Sequence, residues 1–546
     1  MTQKTSALLC ALSAMLCLAG PVSAQQSTGL PLFGSFSGGP ADTVNNANLN
    51  VHFAFPVMSR AGRGLPFSYT LSYDSAVWSP VTSGGTTLWT PASNWGWGVI
   101  TQAQLGYIRF GVYPTSCVGP PRANQHVSWT VWTNFAYVDW LGTAHSFGGL
   151  GVSTWPAGSQ CGGGPPSSNS GVADDGSGYT LSVAVNGSSV NTTLVARSGA
   201  VVNAPQNGPG SGSVTDSNGN LISVSSSGGT TTFFDTLSST TPALTVTGGG
   251  TPSSPYNFAY TNPSGGTSSY KLNYTNNAVR TNFGCSGIVE YNSASQQLVS
   301  SISLPDGTAY SFTYESTPGF AGSVTGRLHS VTLPTGGTIT YTYSGGNNGI
   351  TCADGSAATL TRATPDGTWA YAHTEAGLAW STTITDPQNN QTAMQFQTIY
   401  EAQRKSYQGT TAGTLLQTVD TCYNGSASPC TGIGVNLPIT QVGAITSLPG
   451  TTALQAKTVA SYNGYGLPTE LDEYDFGSGA PGALTRKTVT TYNGSLGAIV
   501  DHPSLVQVFN GSGTLLAQTS YSYDQAAVTA TSGTPQHVSV SGSRGN

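Results

Sequence analysis

Charge is what this chain has least of. Of its 546 residues only 7% are charged, with 16 basic side chains against 22 acidic ones and a formal net charge of −6. No basic stripe is present to neutralise phosphates, which disfavours nucleic acid as a partner. No Gly-rich loop joins a strand to a helix with a Lys at the required place, so no nucleotide site is expected. Neither a Gly-x-Ser-x-Gly elbow nor a His-Glu-x-x-His helix occurs, and no catalytic motif replaces them. No two cysteines have the close spacing of a zinc knuckle with a histidine at ligand distance, so neither metal nor cofactor is expected. Beyond the first 24 residues no apolar run is long enough to span a membrane as a helix.

What is abundant is glycine, at 71 residues, alongside many Ser, Thr and Asn, with aromatics at 10%. A disordered chain carries more charge and fewer aromatics, so this composition reads as an all-β protein with many turns. The amino end has the form of a signal peptide: Lys4, an apolar run over 7–19, and the small-residue site Val22-Ser23-Ala24 before Gln25. Cleavage after Ala24 would remove Cys10 and Cys17 and leave Cys117, Cys161, Cys285, Cys352, Cys422 and Cys430. In an exported chain these are disulfide candidates. Six cysteines permit about fifteen connectivities. Sequential pairing is the simplest expectation, with Cys422 and Cys430 bracketing a short polar loop and Cys285 and Cys352 clamping the segment between them.

That segment holds the clearest structural signal. SISLPDGTAYSFTYE and TGRLHSVTLPTGGTITYTYSGG, within residues 300–346, each place an apolar run before Leu-Pro, a tight polar turn and an alternating aromatic strand. Tyr310, Phe312 and Tyr314 recur at period two, as do Ile339, Tyr341 and Tyr343. Side chains at this period share one face of a strand, so the pattern predicts a β-hairpin written twice. ATPDGTWAYAHT is a weaker third copy. Asp306 and Asp366, each in Pro-Asp-Gly, read as turn residues.

Upstream, Leu49, Val51, Phe53 and Phe55 alternate in one predicted strand, and Phe67, Tyr69, Leu71 and Tyr73 in the next. His52 falls on the polar side of its strand and reads as a surface residue. Residues 25–39 read as a polar leader, 157–170 as a loop or domain seam, and 241–265 as loose. Most of the ten tryptophans lie within 78–155. They fill a β core on one reading; on the other, Trp89, Trp95, Trp97, Trp129 and Trp132 stack on sugar rings. Asp216, Asn218 and Asn220 resemble the start of a calcium loop but lack its helices and bidentate Glu, so a turn is expected. His373 and Glu375 share a strand face with no nucleophile adjacent in sequence, and read as an incidental pair.

The last third repeats a second phrase. Tyr462-Asn463, Tyr474-Asp475, Tyr492-Asn493 and Tyr523-Asp524 each end a strand on tyrosine and start a turn on Asn or Asp. With GRLHSVTLPTGGTITYTYSGG, YNGYGLPTELDEYDFG, LTRKTVTTYNG and SYSYDQ, these residues resemble the tyrosine–aspartate, or RHS, repeat proteins. Gly326-Arg327-Leu328 matches the start of a unit, whereas Tyr343 is followed by Ser344 and Tyr523-Asp524 by Gln525, so the repeats are degenerate. The likeness covers the chain from about Cys285 onward. It implies a large β-hairpin shell, which in bacterial members often encloses a carboxyl-terminal toxin. No counterpart of the family's core-closing motif with self-cleaving aspartates is found, so the chain is expected to be an amino-terminal portion of a longer protein.

The combined expectation is an all-β fold of tandem hairpins forming an extended or partly closed sheet, preceded by a Trp-rich β domain. Its divisions are a signal peptide (1–24), a Trp-rich β domain (25–160), a Gly/Ser-rich hairpin region (161–280) and a degenerate repeat region (281–546). The leading functional reading is a secreted or cell-surface scaffold without catalysis. Its expected partner is a carboxyl-terminal continuation, an enclosed domain, a cell-surface protein or a glycan. The alternatives are a carbohydrate-binding or adhesive module in the Trp-rich region and, lower, a polysaccharide hydrolase, which needs paired carboxylates across a cleft.

Overall fold

A computed structural model describes residues 28–101, 103–104, 106–118, 126–156 and 163–523. The predicted leader peptide, Cys161, Asp524 and the final turn lie outside the described residues. The protein is all-β, 58% strand against about 1% helix. Twenty-six strands form one sheet in chain order, from Ser168–Val172 to Leu515–Ser520, each antiparallel to the one before. Such a ladder follows from the sequence: period-two runs of Val, Thr, Tyr and Phe make strands, and polar connections, many of them two to five residues long, reverse them.

The doublet pairs as predicted. Ile302 lies opposite Tyr310, Val331 opposite Ile339, and the third copy pairs Thr359–Thr364 with Gly367–Ala376. Gly307 and Gly336 sit at φ 88° and 89°, a conformation these tight turns require and L side chains resist. Asp306 is a turn residue: its carboxylate accepts the Thr308 hydroxyl and amide at 2.7 and 2.9 Å. The Tyr-Asn/Asp phrases also have a structural meaning. Asn463 accepts the amides of Tyr465 and Leu467. The hydroxyls of Tyr492 and Tyr523 donate back to the carbonyls of Pro468 and Pro503. Tyr492 thus ties its strand end, and Tyr523 the residues after the last strand, to the backbone of an earlier strand, whereas Tyr474, expected at a strand end, lies inside the strand Pro468–Ser478.

A single sheet of this length cannot bury a face by itself and needs a second layer. The chain supplies two. Phe36–Gly38, Asp42–Asn45, Val51–Arg60, Phe67–Asp74 and Trp97–Ile100 form a five-stranded sheet. Both alternating runs predicted there are buried, and Phe53 meets Tyr341 edge-on at 6.0 Å, Phe55 meets Tyr310 at 4.9 Å and Tyr69 meets Phe233 at 5.1 Å. This inner sheet and the long sheet therefore share one core, running from Val44 to Tyr371. The second layer contains Tyr107–Val118 and His126–Val138, packed on Leu181, Val183, Leu194 and Val214 near the start of the long sheet. The last six strands, from Gln441–Leu448 to Leu515–Ser520, have no buried residue; Phe33 meets Tyr462 edge-on at 5.6 Å, and the loop at Ile499 bridges to Ser198.

Several local expectations are corrected. His52 is buried, not on the surface, because the polar side of its strand faces a packed network and the imidazole meets Asp74 at 3.1 Å. The supposed leader contributes the strand Phe36–Gly38 and the buried Ser35. The supposed loose region holds Leu244–Thr247 and Tyr256–Thr261, and Ser168–Val172 begins inside the expected seam. The imperfect alternation after Trp129 has a cause: Asn134 adopts φ 56°, so burial passes from Trp132 to Phe135 across an odd step.

Candidate functional site

Where the inner sheet meets the long sheet, charge is concentrated and buried. Asp42 accepts from Nε and Nη2 of Arg362 at 2.6 and 2.7 Å and from the Tyr341 hydroxyl at 2.6 Å. The carboxylate is wholly buried and the guanidinium nearly so. Burial and the neighbouring carboxylate hold the Tyr341 phenol well above its usual range, so it stays a donor. Two strands away, Thr382 donates to the Asn46 carbonyl at 2.6 Å, and Ser35 donates to Glu401, which Arg404 grips with two nitrogens. The segment 42–50 is rich in buried Asn, whose side chains bond their own turns, as in Asn45 to Ala47 and Asn48 to Asn50. Two strand faces that cannot both be apolar are thus joined by hydrogen bonds that leave few polar atoms unpaired.

His373 and Glu375 belong to this seam. Nε2 of His373 lies 3.2 Å from Glu375, Nδ1 lies 3.0 Å from the Thr382 hydroxyl, and Ser356 donates to Glu375 at 3.1 Å. A hydroxyl, an imidazole and a carboxylate in line have the form of an activated nucleophile. Here the Thr382 hydroxyl is fully buried and committed to Asn46, so this line of groups pins one layer to the other.

Gly326-Arg327 also acquires physical roles. A Cβ on Gly326, at φ 86°, would lie 2.8 Å from the Trp95 ring. Arg327 is buried, paired with Glu315 at 2.8 Å, donates to the Gly349 carbonyl and stacks 4.1 Å above the Tyr343 ring. Sequence reading missed Asp42, Glu315 and Arg362. Their signal was rarity: charges at strand positions in a chain with almost none.

The predicted sugar-stacking residues are dispersed. Trp89, Trp97 and Trp132 are buried, so their faces are closed to any ligand, and that part of the expectation is corrected. Trp97 donates to the Tyr314 hydroxyl, and the neighbouring Trp78 donates to the Thr325 carbonyl. Trp95 is half-buried against Trp78 and Tyr291, and Trp129 is half-buried, edge-on to Trp155 at 4.9 Å. Of the cysteines, Cys285–Cys352 and Cys422–Cys430 are bonded as expected, and Cys117 is disulfide-bonded. Asp216 takes the Asn218 and Asn220 amides in a turn, and Asp386 takes those of Gln388 and Asn390 in the same geometry. Among the described residues no group of three or more His, Cys, Asp or Glu is placed to hold a metal ion.

One further buried cluster lies near the second layer. His145 sits between Asp139 at 3.2 Å and Asp175 at 2.6 Å. Burial works against the imidazolium, but the two carboxylates outweigh it and raise its pKa to about 9. Two open volumes stand out among the described residues. One of about 660 Å³ lies among the layers, touching Tyr69, Asp74, Trp97, Asp175 and Tyr256. The other, about 580 Å³, is a cleft between the strand Phe36–Gly38 and the long sheet, lined by Trp369, Tyr371, Tyr407 and Leu416 with polar neighbours.

No family model and no curated protein matches the chain. The solved structures that resemble it include "Crystal Structure of TcdB2-TccC3-TEV", at 10% identity and TM-score 0.13, covering 86% of this chain. The chain spans 27% of that protein's length. Another is "NanB plus Optactamide", at 10% identity and TM-score 0.13, covering 89% of this chain and 88% of that one. At those scores neither likeness carries an argument. The fold stands on the chain's own geometry: a large, extended, antiparallel all-β sheet stiffened by disulfides and by an inner layer of its own amino-terminal strands.

Proposed function

We propose that this protein is a secreted structural scaffold without catalysis, the amino-terminal part of an RHS-like cell-surface or contact-dependent protein that encloses or presents another domain. The observation that carries this reading is the ladder of 26 strands in chain order, packed along its middle against its own inner sheet and ending in six strands that bury no residue. The tyrosine-capped turns and the buried Gly326-Arg327 unit support the family likeness. The leader peptide and the cysteine bonds support export to an oxidising compartment.

Limited proteolysis of the mature chain with mass-spectrometric mapping tests this. A resistant core containing the inner sheet and the strands up to Thr414–Tyr423 is expected, with first cuts beyond residue 441. Rapid digestion at uniform rate throughout would overturn the scaffold. Sequencing of the exported protein's amino end checks cleavage after Ala24; recovery of the chain only inside the cell, uncleaved, would overturn the secreted part of the reading.

A further inference from the structure

We infer that the cleft beside the strand Phe36–Gly38 is a binding site for a neutral saccharide, distinct from the tryptophan-rich region. Strand register builds it. Tyr371 lies opposite Ile384, Ile384 opposite Thr392, and Thr392 opposite Ser406. These four side chains form one row across successive strands, and Leu416, the residue left unpaired at the irregularity beside Ser406 and Tyr407, extends it. Two residues along the same strands, Trp369, Asn390 and Gln408 line the cleft as well. Ser37 of the inner sheet closes the other side, 3.4 Å from the Tyr371 hydroxyl. The volume of about 580 Å³ falls in the range of roughly 300–1,000 Å³ usual for small-ligand sites.

The chemistry of the lining selects the ligand class. Asp386 is the one charged side chain in it, and both its oxygens are taken by its own turn, from Gln388 and from the amide and side chain of Asn390. The nearby Arg362, 5.1 Å over Trp369, is neutralised by Asp42. The only formal charge the lining carries is therefore the Asp386 carboxylate, which repels a phosphate or a uronate, and the lining holds no cation to bind one. Thr392, Ser406, Tyr407 and Gln408 line it, and none makes a side-chain hydrogen bond to another described residue. They combine hydroxyls that donate and accept with an amide that does both. Beside them Trp369, two residues along the strand from Tyr371 and so on the same face, is half-buried rather than closed off. A pyranose has the matching surface, with ring C–H groups to lie on an aromatic side chain and hydroxyls to meet these polar groups, whereas a purely apolar ligand would leave them unpaired.

The test is calorimetric titration of the intact chain with cellohexaose, maltohexaose and xylohexaose, and with a hexagalacturonate as the anionic comparator. At least one neutral hexasaccharide is expected to bind, with Trp369→Ala and Gln408→Ala each weakening it by about tenfold, the loss of one aromatic contact or polar pair. Gln408 is exposed at the end of the strand Tyr400–Gln408, and unfolding in urea verifies that these variants are folded. Trp129→Ala is expected to leave the affinity unchanged. The inference is overturned if none of the three neutral hexasaccharides binds or if the anionic one binds more tightly. It is equally overturned if Trp129→Ala abolishes binding while the two cleft variants do not.

Discussion

Replacing Arg362 with leucine should be among the most damaging single changes this protein can suffer. The side chain is nearly buried, its partner Asp42 is wholly buried, and their two contacts of 2.6 and 2.7 Å join the inner sheet to the long one across 320 residues of chain. Leucine keeps part of the packing but leaves Asp42 in the core with the Tyr341 hydroxyl as its remaining side-chain donor. Removing one member of a buried pair costs about 3–5 kcal/mol, because the other charge remains desolvated. Against a typical total of roughly 5–15 kcal/mol, that is a large fraction of the stability. Asp42→Asn in the same background removes the stranded charge, so the double variant should be more stable than the sum of the single losses implies, by on the order of 1–3 kcal/mol. Urea unfolding followed by tryptophan fluorescence reads this directly, since Trp78, Trp89 and Trp97 lie in the shared core. A loss below about 1 kcal/mol for Arg362→Leu, or strict additivity in the cycle, would refute the claim that this pair holds the layers together.

Three other outcomes follow from the same geometry. Cys285–Cys352 spans 67 residues and Cys422–Cys430 spans 8; loop-closure entropy predicts that losing the first costs about 4 kcal/mol and the second about 2.5 kcal/mol, which Cys→Ser pairs measured in urea would check. His145 is raised to about 9 by Asp139 and Asp175, so its contribution is fully present below its unfolded value near 6.5 and is lost as pH rises through about 9. His145→Asn should flatten the stability profile over that window by on the order of 3 kcal/mol, and an unchanged slope would count against the pairing. Amide hydrogen exchange should be fastest in the strands between Gln441 and Ser520, none of whose residues is buried, and slowest around Tyr341 and Leu360; uniform protection along the sheet would count against this reading.

The amino-acid sequence by itself determined the local level of this structure. Period-two aromatic runs specified the strands, Pro-Asp-Gly and Tyr-Asn phrases specified the turns, and the order of hairpins specified the neighbours in the ladder, because each of these is settled by residues close together in the chain. Cys285–Cys352 and Cys422–Cys430 were legible for a related reason, since sequential pairing follows a sequential ladder. What a strand face rests against was not legible. Alternation shows which residues point the same way, and it is silent on which layer covers them. His52 therefore read as exposed, the residues before Gly39 as a leader, and the tryptophans as either core or platform. Tertiary structure decided each of these by folding residues 35–100 back onto strands some 300 positions later. The same long-range contact turned scarce, scattered charges into paired ones, and left beside Phe36–Gly38 a cleft whose residues come from positions 37 to 416 and so form no motif in the sequence.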